Sequence, residues 1–85
     1  MDLSGNKKIF VVIPAYNETA KIADVILSVK EIIPNVIVVD DASGDHTAEA
    51  AEKAGADVLE HMINRGQGAA LKTGIDYAVK RGADI

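Results

Sequence analysis

The sequence predicts an α/β fold in which a parallel sheet of three to four strands is flanked by helices, in the order β-α-β-α-β-α-β. Two stretches carry the prediction: residues 9–13 and residues 36–39 are apolar at every position, which is typical of strands buried on both faces. Helical patterns joined by short connections follow each run. That alternation favours a parallel sheet with right-handed crossovers.

The composition is that of one small globular domain covering residues 1–85. Of the 85 residues, 48% are hydrophobic and 26% are charged. The net charge of -4 argues against nucleic acid as a partner. The absence of cysteine excludes disulfides, zinc-thiolate sites and a thiol nucleophile, and slightly favours a reducing compartment. The polar lead-in before Ile9 lacks the apolar core of a signal peptide.

The first strand is predicted from about Lys8 to Ile13 and is expected to stop at Pro14, which cannot donate to a ladder. Asn17 or Thr19 is expected to cap the first helix. That helix is predicted from apolar residues at helical spacing, and Pro34 ends it. The stripe consists of Ile22, Val25, Ile26, Val29, Ile32 and Ile33.

The second strand is predicted over Val36 to Val39, and the second helix from Thr47 to about Ala54. Ser43 or Asp45 is the expected cap of this helix. Its inner face is made of small residues, which would let the helix lie close to the sheet: Ala48, Ala51 and Ala54. Gly55 suits the left-handed position that follows a helix.

The third strand is predicted from Asp57 to Met62, and the third helix from Ala69 to about Lys80. The expected inner face of this helix comprises Leu71, Ile75, Ala78 and Val79. Gly82 would end it. Residues 83–85 are interpreted as the opening of a fourth strand, so we expect the chain to be the N-terminal part of something longer.

Candidate binding residues follow the first two strands, where parallel sheets bind their ligands. Tyr16 offers a flat face for stacking a nucleobase, or alternatively braces its loop. Glu18 complements the helix dipole or accepts hydrogen bonds from a ligand. Asp41 is interpreted as a ligand-binding carboxylate rather than a helix cap, so Asp41→Ala is expected to abolish binding and leave the fold intact. Strand alternation sends Asp40 the opposite way.

The segment Asn64–Ala70 is rich in glycine and opens a helix. Exposed backbone N–H groups at such a start favour an anion, to which Arg65 or Lys72 could add charge, although a tight turn explains the glycines equally well. The spacing fits neither a P-loop nor the dinucleotide-binding fingerprint. His46 and His61 have no evident partners and are expected to be surface or half-buried residues.

Three motifs together resemble the nucleotide-binding half of family 2 glycosyltransferases, which have the GT-A fold, a Rossmann-like domain. The motifs are Val12-Ile13-Pro14-Ala15-Tyr16-Asn17-Glu18, then Val38-Val39-Asp40-Asp41-Ala42-Ser43-Gly44-Asp45-His46-Thr47, then Asn64-Arg65-Gly66-Gln67-Gly68-Ala69-Ala70-Leu71-Lys72-Thr73-Gly74. Within the family, the sequence is most similar to polyprenol- and dolichol-phosphate mannosyl- and glucosyltransferases.

This resemblance implies a site for a nucleoside-diphosphate sugar, linked to UDP or GDP. Pro14, Ala15, Tyr16 and Glu18 would surround the base and ribose. Asp41 would accept a hydrogen bond from the base. Gly66 and Gly68 would lie along the nucleotide, where side-chain bulk would interfere.

The family also carries an Asp-x-Asp motif that binds a divalent metal, Mg or Mn, and a catalytic base, and neither falls within these 85 residues. The resemblance therefore implies that this chain holds no catalytic or metal-binding residue and is inactive alone. The parent enzyme would be an inverting transferase of a hexose. Its expected acceptor is a polyprenyl phosphate, with the enzyme in the cytoplasm, peripheral at the membrane face.

Three other interpretations remain open on the sequence. A receiver-like signalling module also combines an acidic pair with a lysine, but its pair closes the first strand, whereas Asp40 and Asp41 close the second. A nucleotidyltransferase would carry a basic, glycine-rich loop after strand one, and residues 14–18 have neither feature. The third is an inactive structural fragment that forms homo-oligomers through an open sheet edge.

Overall fold

The computed structural model describes residues 8–84 and confirms the α/β class, with three strands and three helices in the predicted order. The strands β1, β2 and β3 form one parallel sheet in that spatial order. The elements are β1 (Phe10–Ala15), α1 (Ile22–Lys30), β2 (Asn35–Asp40), α2 (Thr47–Lys53), β3 (Asp57–Glu60) and α3 (Gln67–Lys80). Residues 1–7, which make up all of the polar lead-in except Lys8, and Ile85 lie outside the described residues.

Strand β1 continues through Pro14 to Ala15, so the prediction that it stops at Pro14 is wrong. The Ala15 carbonyl accepts the Asp41 N–H at 2.8 Å, which directs the backbone groups of Ala15 toward β2. Because alternate residues of a strand direct these groups to opposite sides, the nitrogen of Pro14 faces the outer edge of β1. No described strand pairs there, so the proline removes no ladder bond.

The central strand β2 is buried on both faces, as its uninterrupted apolar run predicts. Helices α1 and α2 cover one face, and α3 covers the other. The buried residues of the first face are Ala15, Ile22, Ile26, Val36, Val38, Ala51 and Ala56. Those of the second are Ile37, Val39, Ala70 and Ala78. The sheet is therefore wrapped on both sides.

The predicted inner face of α1 is correct in part. Ile22 and Ile26 are buried and Val29 packs against them, but Val25 and Ile32 are exposed. The helix begins at Ile22 without a side-chain cap, so the predicted caps Asn17 and Thr19 are wrong. Both residues instead contact the loop that follows β2.

The predicted inner face of α3 is wrong except at Ala78. The buried residues are Ala70, Gly74 and Ala78, whereas Leu71, Ile75 and Val79 are exposed. The physical reason is the closeness of α3 to the sheet, since a Cβ on Gly74 would lie 2.2 Å from Val12 Cγ1. Only small side chains fit along that line of contact.

Several element ends also differ from the prediction. Strand β3 ends at Glu60 rather than Met62, whose side chain is 99% exposed, and α3 begins at Gln67, two residues early. Gly55 and Gly82 follow α2 and α3 with positive φ values of 98° and 88°, as predicted.

The expected fourth strand is not formed within the described residues. Asp84 nevertheless lies beside the start of β1, because its N–H donates to the Lys8 carbonyl at 2.7 Å. The strands are added in one direction from β1 to β3. The chain then returns to β1, on the edge that does not face β2. Association of two copies through this edge stays a prediction. None of the helices in residues 8–84 is both long and apolar enough to span a bilayer.

Candidate functional site

An open cleft of about 330 Å³ lies at the carboxyl ends of β1 and β2, beside the start of α3. Ligands of open α/β sheets bind in this position, where the direction of strand addition reverses. The lining consists of Pro14, Ala15, Tyr16, Glu18, Asp41, Asn64, Gly66, Gln67 and Ala70. Six of the seven predicted site residues therefore meet in one place, and Gly68 is the one outside the lining.

The loop after β1 is tied to the loop after β2 through Asn17. The Asn17 N–H donates to Ser43 Oγ at 2.8 Å, and Asn17 Oδ1 accepts the Gly44 N–H at 2.8 Å. Asn17 has a φ of 53°, a left-handed conformation that asparagine tolerates better than most residues. These bonds hold the neighbouring Tyr16, which is 50% exposed, at the rim of the cleft.

A second set of bonds fixes Glu18 and the start of α2. The buried Thr47 hydroxyl accepts the Glu18 N–H at 2.8 Å and donates to Asp45. Asp45 also accepts the N–H groups of Thr47 and Thr19, at 3.0 and 3.3 Å. The cap position of α2 is His46, which makes no side-chain cap bond, so the predicted caps Ser43 and Asp45 are wrong. Asp45 instead accepts the N–H of the first helical residue, and Ser43 contributes to loop bracing. The Glu18 carboxylate accepts no bond from residues 8–84 and lines the cleft.

Acid should weaken this second set of bonds. The Thr47 hydroxyl above all, and then Thr19, lower the pKa of Asp45 from 3.8 to about 2. A carboxyl whose pKa is lower in the folded state stabilises the fold above its unfolded pKa, and this contribution disappears as the pH falls toward the folded value. We therefore expect stability to decline between about pH 4 and pH 2.

The measurement is urea unfolding at a series of pH values for the parent protein and for Asp45→Asn. The variant should be less stable at pH 6 and show a flatter decline below pH 4. Asp24→Asn, an exposed carboxylate in the first turn of α1, is the matched control and should retain the parent profile. Parallel profiles for the parent and Asp45→Asn would contradict the assignment.

Asp41 is a buried carboxylate with three hydrogen-bond donors. Its Oδ1 accepts the Arg65 N–H and a bond from His61 Nδ1, both at 2.8 Å, and its Oδ2 accepts the Gly66 N–H at 2.8 Å. The Arg65 N–H and then His61 lower the pKa of Asp41, so it is ionised at neutral pH. A carboxylate offers roughly four acceptor positions, which leaves one for a ligand in the cleft.

Gly66 and Gly68 have different structural roles. Gly66 has φ 91° and ψ 162°, a conformation essentially restricted to glycine, and in it the N–H reaches Asp41. An added Cβ at Gly66 would contact nothing within 4 Å, so the backbone conformation and not space requires glycine. Gly68 lies in the first turn of α3, also with nothing within 4 Å. Its contact with a nucleotide stays a prediction.

His61 was missed by the sequence argument, and the expectation that it has no partners is wrong. Its side chain is 7% exposed, with Nδ1 on Asp41 and Nε2 2.8 Å from Thr73 Oγ1. The signal that could have found it is its position directly after β3. Because β3 pairs with β2, the His61 N–H donates to the Asp40 carbonyl, which places His61 beside the end of β2. His46 is a surface residue as expected, 80% exposed and 3.3 Å from Glu49.

The other candidate residues lie away from the cleft. Asp40 points to the opposite side of the sheet, as alternation predicted, and accepts bonds from the N–H and hydroxyl of Ser43. Lys72 pairs with Asp76 at 3.1 Å, and neither Lys72 nor Arg65 lines the cleft with its side chain. Residues 8–84 contain no group of three or more His, Asp or Glu placed to hold a metal ion.

Residues 10–81 match the family described as Glycosyl transferase family 2. The chain belongs to glycosyltransferase family 2. It is 32% identical over 85 residues to an undecaprenyl-phosphate mannosyltransferase of Micrococcus luteus, a match that covers 92% of this chain and 35% of the relative. It is 31% identical over 98 residues to a UDP-N-acetylglucosamine–dolichyl-phosphate N-acetylglucosaminyltransferase of Methanococcus voltae, covering 94% and 39%.

A solved structure of another glycosyltransferase shares the fold. It is glucosyl-3-phosphoglycerate synthase from Mycobacterium tuberculosis, in complex with Mn²⁺, UDP-glucose and phosphoglyceric acid, with a TM-score of 0.67 and 33% identity over 80% of this chain and 28% of that one. The protein described here is therefore part of a GT-A domain. It spans about a third of the length of the two transferases named above. Because the chain belongs to glycosyltransferase family 2, it is neither a receiver-like signalling module nor a nucleotidyltransferase.

Proposed function

We propose that residues 8–84 form the part of a glycosyltransferase that binds the nucleoside-diphosphate sugar, linked to UDP or GDP. The observation that carries the proposal is the meeting of Tyr16, Glu18 and Asp41 in one cleft, although Asp41 lies more than twenty positions from the other two. The cleft volume of about 330 Å³ also falls within the roughly 300–1,000 Å³ of ligand sites.

Each of the three side chains supplies a different part of nucleoside recognition. The half-exposed ring of Tyr16 provides a face on which a base can stack. The remaining acceptor position of Asp41 suits a base N–H, since an ionised carboxylate only accepts hydrogen bonds. Glu18, whose carboxylate is unengaged within residues 8–84, suits the ribose hydroxyls. Pro14, Ala15 and Gly66 complete the walls without side-chain bulk.

The diphosphate needs positive charge that this cleft lacks. Its lining includes two carboxylates, of Glu18 and Asp41, and no lysine or arginine. The backbone N–H groups at the start of α3 supply part of the compensation. We propose that a divalent metal, Mg or Mn, supplies the rest in the complete enzyme, through residues outside this sequence. The Mn²⁺ in the related synthase supports this assignment.

We further propose that the complete enzyme transfers a hexose, with inversion, to a polyprenyl phosphate at the cytoplasmic face of a membrane. Two relatives, an undecaprenyl-phosphate mannosyltransferase and a dolichyl-phosphate N-acetylglucosaminyltransferase, support this acceptor class. The 85 residues by themselves are expected to bind nucleotide without transferring sugar, because they correspond to about a third of those relatives.

The test is a titration of the protein with UDP and GDP, followed by NMR and calorimetry. The expected shifts fall on residues 14–18, on Asp41 and on Gly66. Tyr16→Ala should weaken binding of the preferred nucleotide roughly tenfold or more, because stacking contributes about 1–3 kcal/mol per base.

The matched control is Met62→Ala, which removes a fully exposed side chain outside the cleft lining and should leave the affinity unchanged. Equal losses for Tyr16→Ala and Met62→Ala would contradict the role of Tyr16. Shifts confined to residues remote from the cleft, or the absence of binding by either nucleotide, would contradict the site.

A further inference from the structure

We propose that His61 is a positioning residue for the nucleotide site: it fixes the Asp41 carboxylate, and through it residues 64–66, without contacting the ligand. The observation is a buried chain of hydrogen bonds from Asp41 through His61 to Thr73, connecting the ends of β2 and β3 to α3. The part of this inference that concerns affinity rests on the proposed function. The part that concerns the loop does not.

The direction of the bond to Asp41 follows from the chemistry of its partners. An ionised carboxylate has no hydrogen to give, so Nδ1 of His61 carries a hydrogen and donates it to Asp41 Oδ1. At the other end, Thr73 Oγ1 lies 2.8 Å from Nε2 and 3.0 Å from the Ala69 carbonyl. Thr73 therefore either donates to Ala69 and accepts from Nε2–H, or donates to Nε2. The Nδ1–H bond is the same in both arrangements.

The position of His61 explains how Asp41 can serve both the fold and a ligand. His61 and the Arg65 N–H occupy Oδ1, while the Gly66 N–H takes one position on Oδ2. With Oδ1 held from two directions, the carboxylate cannot rotate, and the second position of Oδ2 keeps a fixed direction. Without His61 the carboxylate would be held only by two amides of an exposed loop, which can move with it.

Thr73 in turn prevents the imidazole from turning. Its Oγ1 is carried by α3 and lies 3.0 Å from the Ala69 carbonyl, one turn earlier in the helix. His61 and Asp41 are almost fully enclosed, with 7% and 6% of their side chains exposed, so water does not substitute readily for either bond. The helix that covers the sheet thus sets the orientation of a carboxylate at the end of β2.

Two amide substitutions separate the two ends of the imidazole. In His61→Asn, the side-chain NH₂ replaces Nδ1 and can still donate to Asp41, but the contact with Thr73 is lost. In His61→Gln, the longer side chain places its NH₂ near Nε2, so the contact with Thr73 is kept and that with Asp41 is lost. If His61 acts through Asp41, the asparagine variant should retain function and the glutamine variant should not.

The first readout needs no nucleotide. Hydrogen exchange by NMR should show protected amides for Arg65 and Gly66 in the parent and in His61→Asn, and clearly faster exchange of both in His61→Gln. His46→Gln is the matched control, because His46 is an exposed histidine whose contact is with Glu49, and it should retain the parent pattern. Melting temperatures of all variants, measured in parallel, separate this local effect from a general loss of stability.

The second readout is affinity for the nucleotide that the parent prefers, UDP or GDP. His61→Gln should weaken nucleotide binding by roughly tenfold, the scale of one hydrogen bond to a charged group. His61→Asn should stay within about threefold of the parent. Thr73→Val should lower the nucleotide affinity less than His61→Gln does. Thr73→Ser, which keeps the hydroxyl, should retain the parent affinity.

Two results would overturn the positioning role: unchanged protection of Arg65 and Gly66 in His61→Gln, or equal behaviour of the asparagine and glutamine variants. If the parent binds neither nucleotide, the proposed function fails, and the exchange data still decide whether His61 fixes the loop. If the parent binds nucleotide and His61→Gln binds it equally well, the proposed function stands and the positioning role is wrong.

Discussion

Gly74→Ala is expected to destabilise the fold by about 2 kcal/mol, because overpacking of a close contact costs typically 1–3 kcal/mol. The new Cβ would lie 2.2 Å from Val12 Cγ1 and 3.1 Å from Val39 Cγ2, so α3 would have to move off the sheet. Alanine forms helix better than glycine by about 1 kcal/mol, which offsets only part of the clash. In a domain of this size, the melting temperature should fall by roughly 10 °C.

The matched control is Gly68→Ala, a glycine in the same helix whose added Cβ would meet nothing within 4 Å. It should leave stability unchanged or raise it by up to about 1 kcal/mol. The double variant Val12→Ala/Gly74→Ala should lose less stability than the sum of its single changes, because the shortened valine makes room for the new methyl group. Additive losses, or equal effects of Gly74→Ala and Gly68→Ala, would contradict the packing argument.

Asp41→Ala is expected to remove nucleotide binding and also to lower the melting temperature. The second expectation differs from the one drawn from the sequence, which was an intact fold. The carboxylate accepts two backbone N–H groups and a bond from His61, and alanine would leave all three donors without this acceptor. Asp41→Asn keeps the shape of the side chain, but its NH₂ group cannot accept the hydrogen bonds that a carboxylate oxygen accepts. It should bind nucleotide roughly tenfold to a hundredfold more weakly.

The control for Asp41 is its neighbour Asp40, an equally buried carboxylate whose partner is Ser43 on the other side of the sheet. Asp40→Asn should lower the melting temperature without changing nucleotide affinity, whereas Asp41→Asn should change both. The measurements are calorimetric titration at a temperature well below unfolding and a thermal melt of each variant. Wild-type affinity in Asp41→Asn would exclude Asp41 from nucleotide recognition.

The backbone architecture and most of the cleft follow from local sequence signals. The apolar run of residues 36–39 predicted a strand buried on both faces, and β2 is the central strand of the sheet. Strand alternation separated Asp41, in the cleft, from Asp40 on the opposite side. Parallel strands bring their carboxyl ends to one edge, which is why Tyr16 and Asp41 could be placed together without coordinates.

The errors arose where a residue's environment depends on distance between elements. Hydrophobicity assigned Leu71, Ile75 and Val79 to the inner face of α3, but the sheet approaches too closely for side chains of that size. Likewise, Pro14 was expected to end the strand because proline has no N–H to donate. It is accommodated in β1 because its nitrogen faces an edge without a described partner. Neither outcome is encoded within a window of a few residues.

The sequence by itself determined the order and direction of the elements, the family, and most of the residues at the carboxyl edge of the sheet. Those features depend on hydrophobic period and on short motifs, which are local. Only the tertiary structure decided which partners occupy the Asp41 carboxylate and that His61 is buried between Asp41 and Thr73. Hydrogen bonds between residues 12 to 25 positions apart depend on how closely α3 packs and on the register of β3, and no local pattern specifies either.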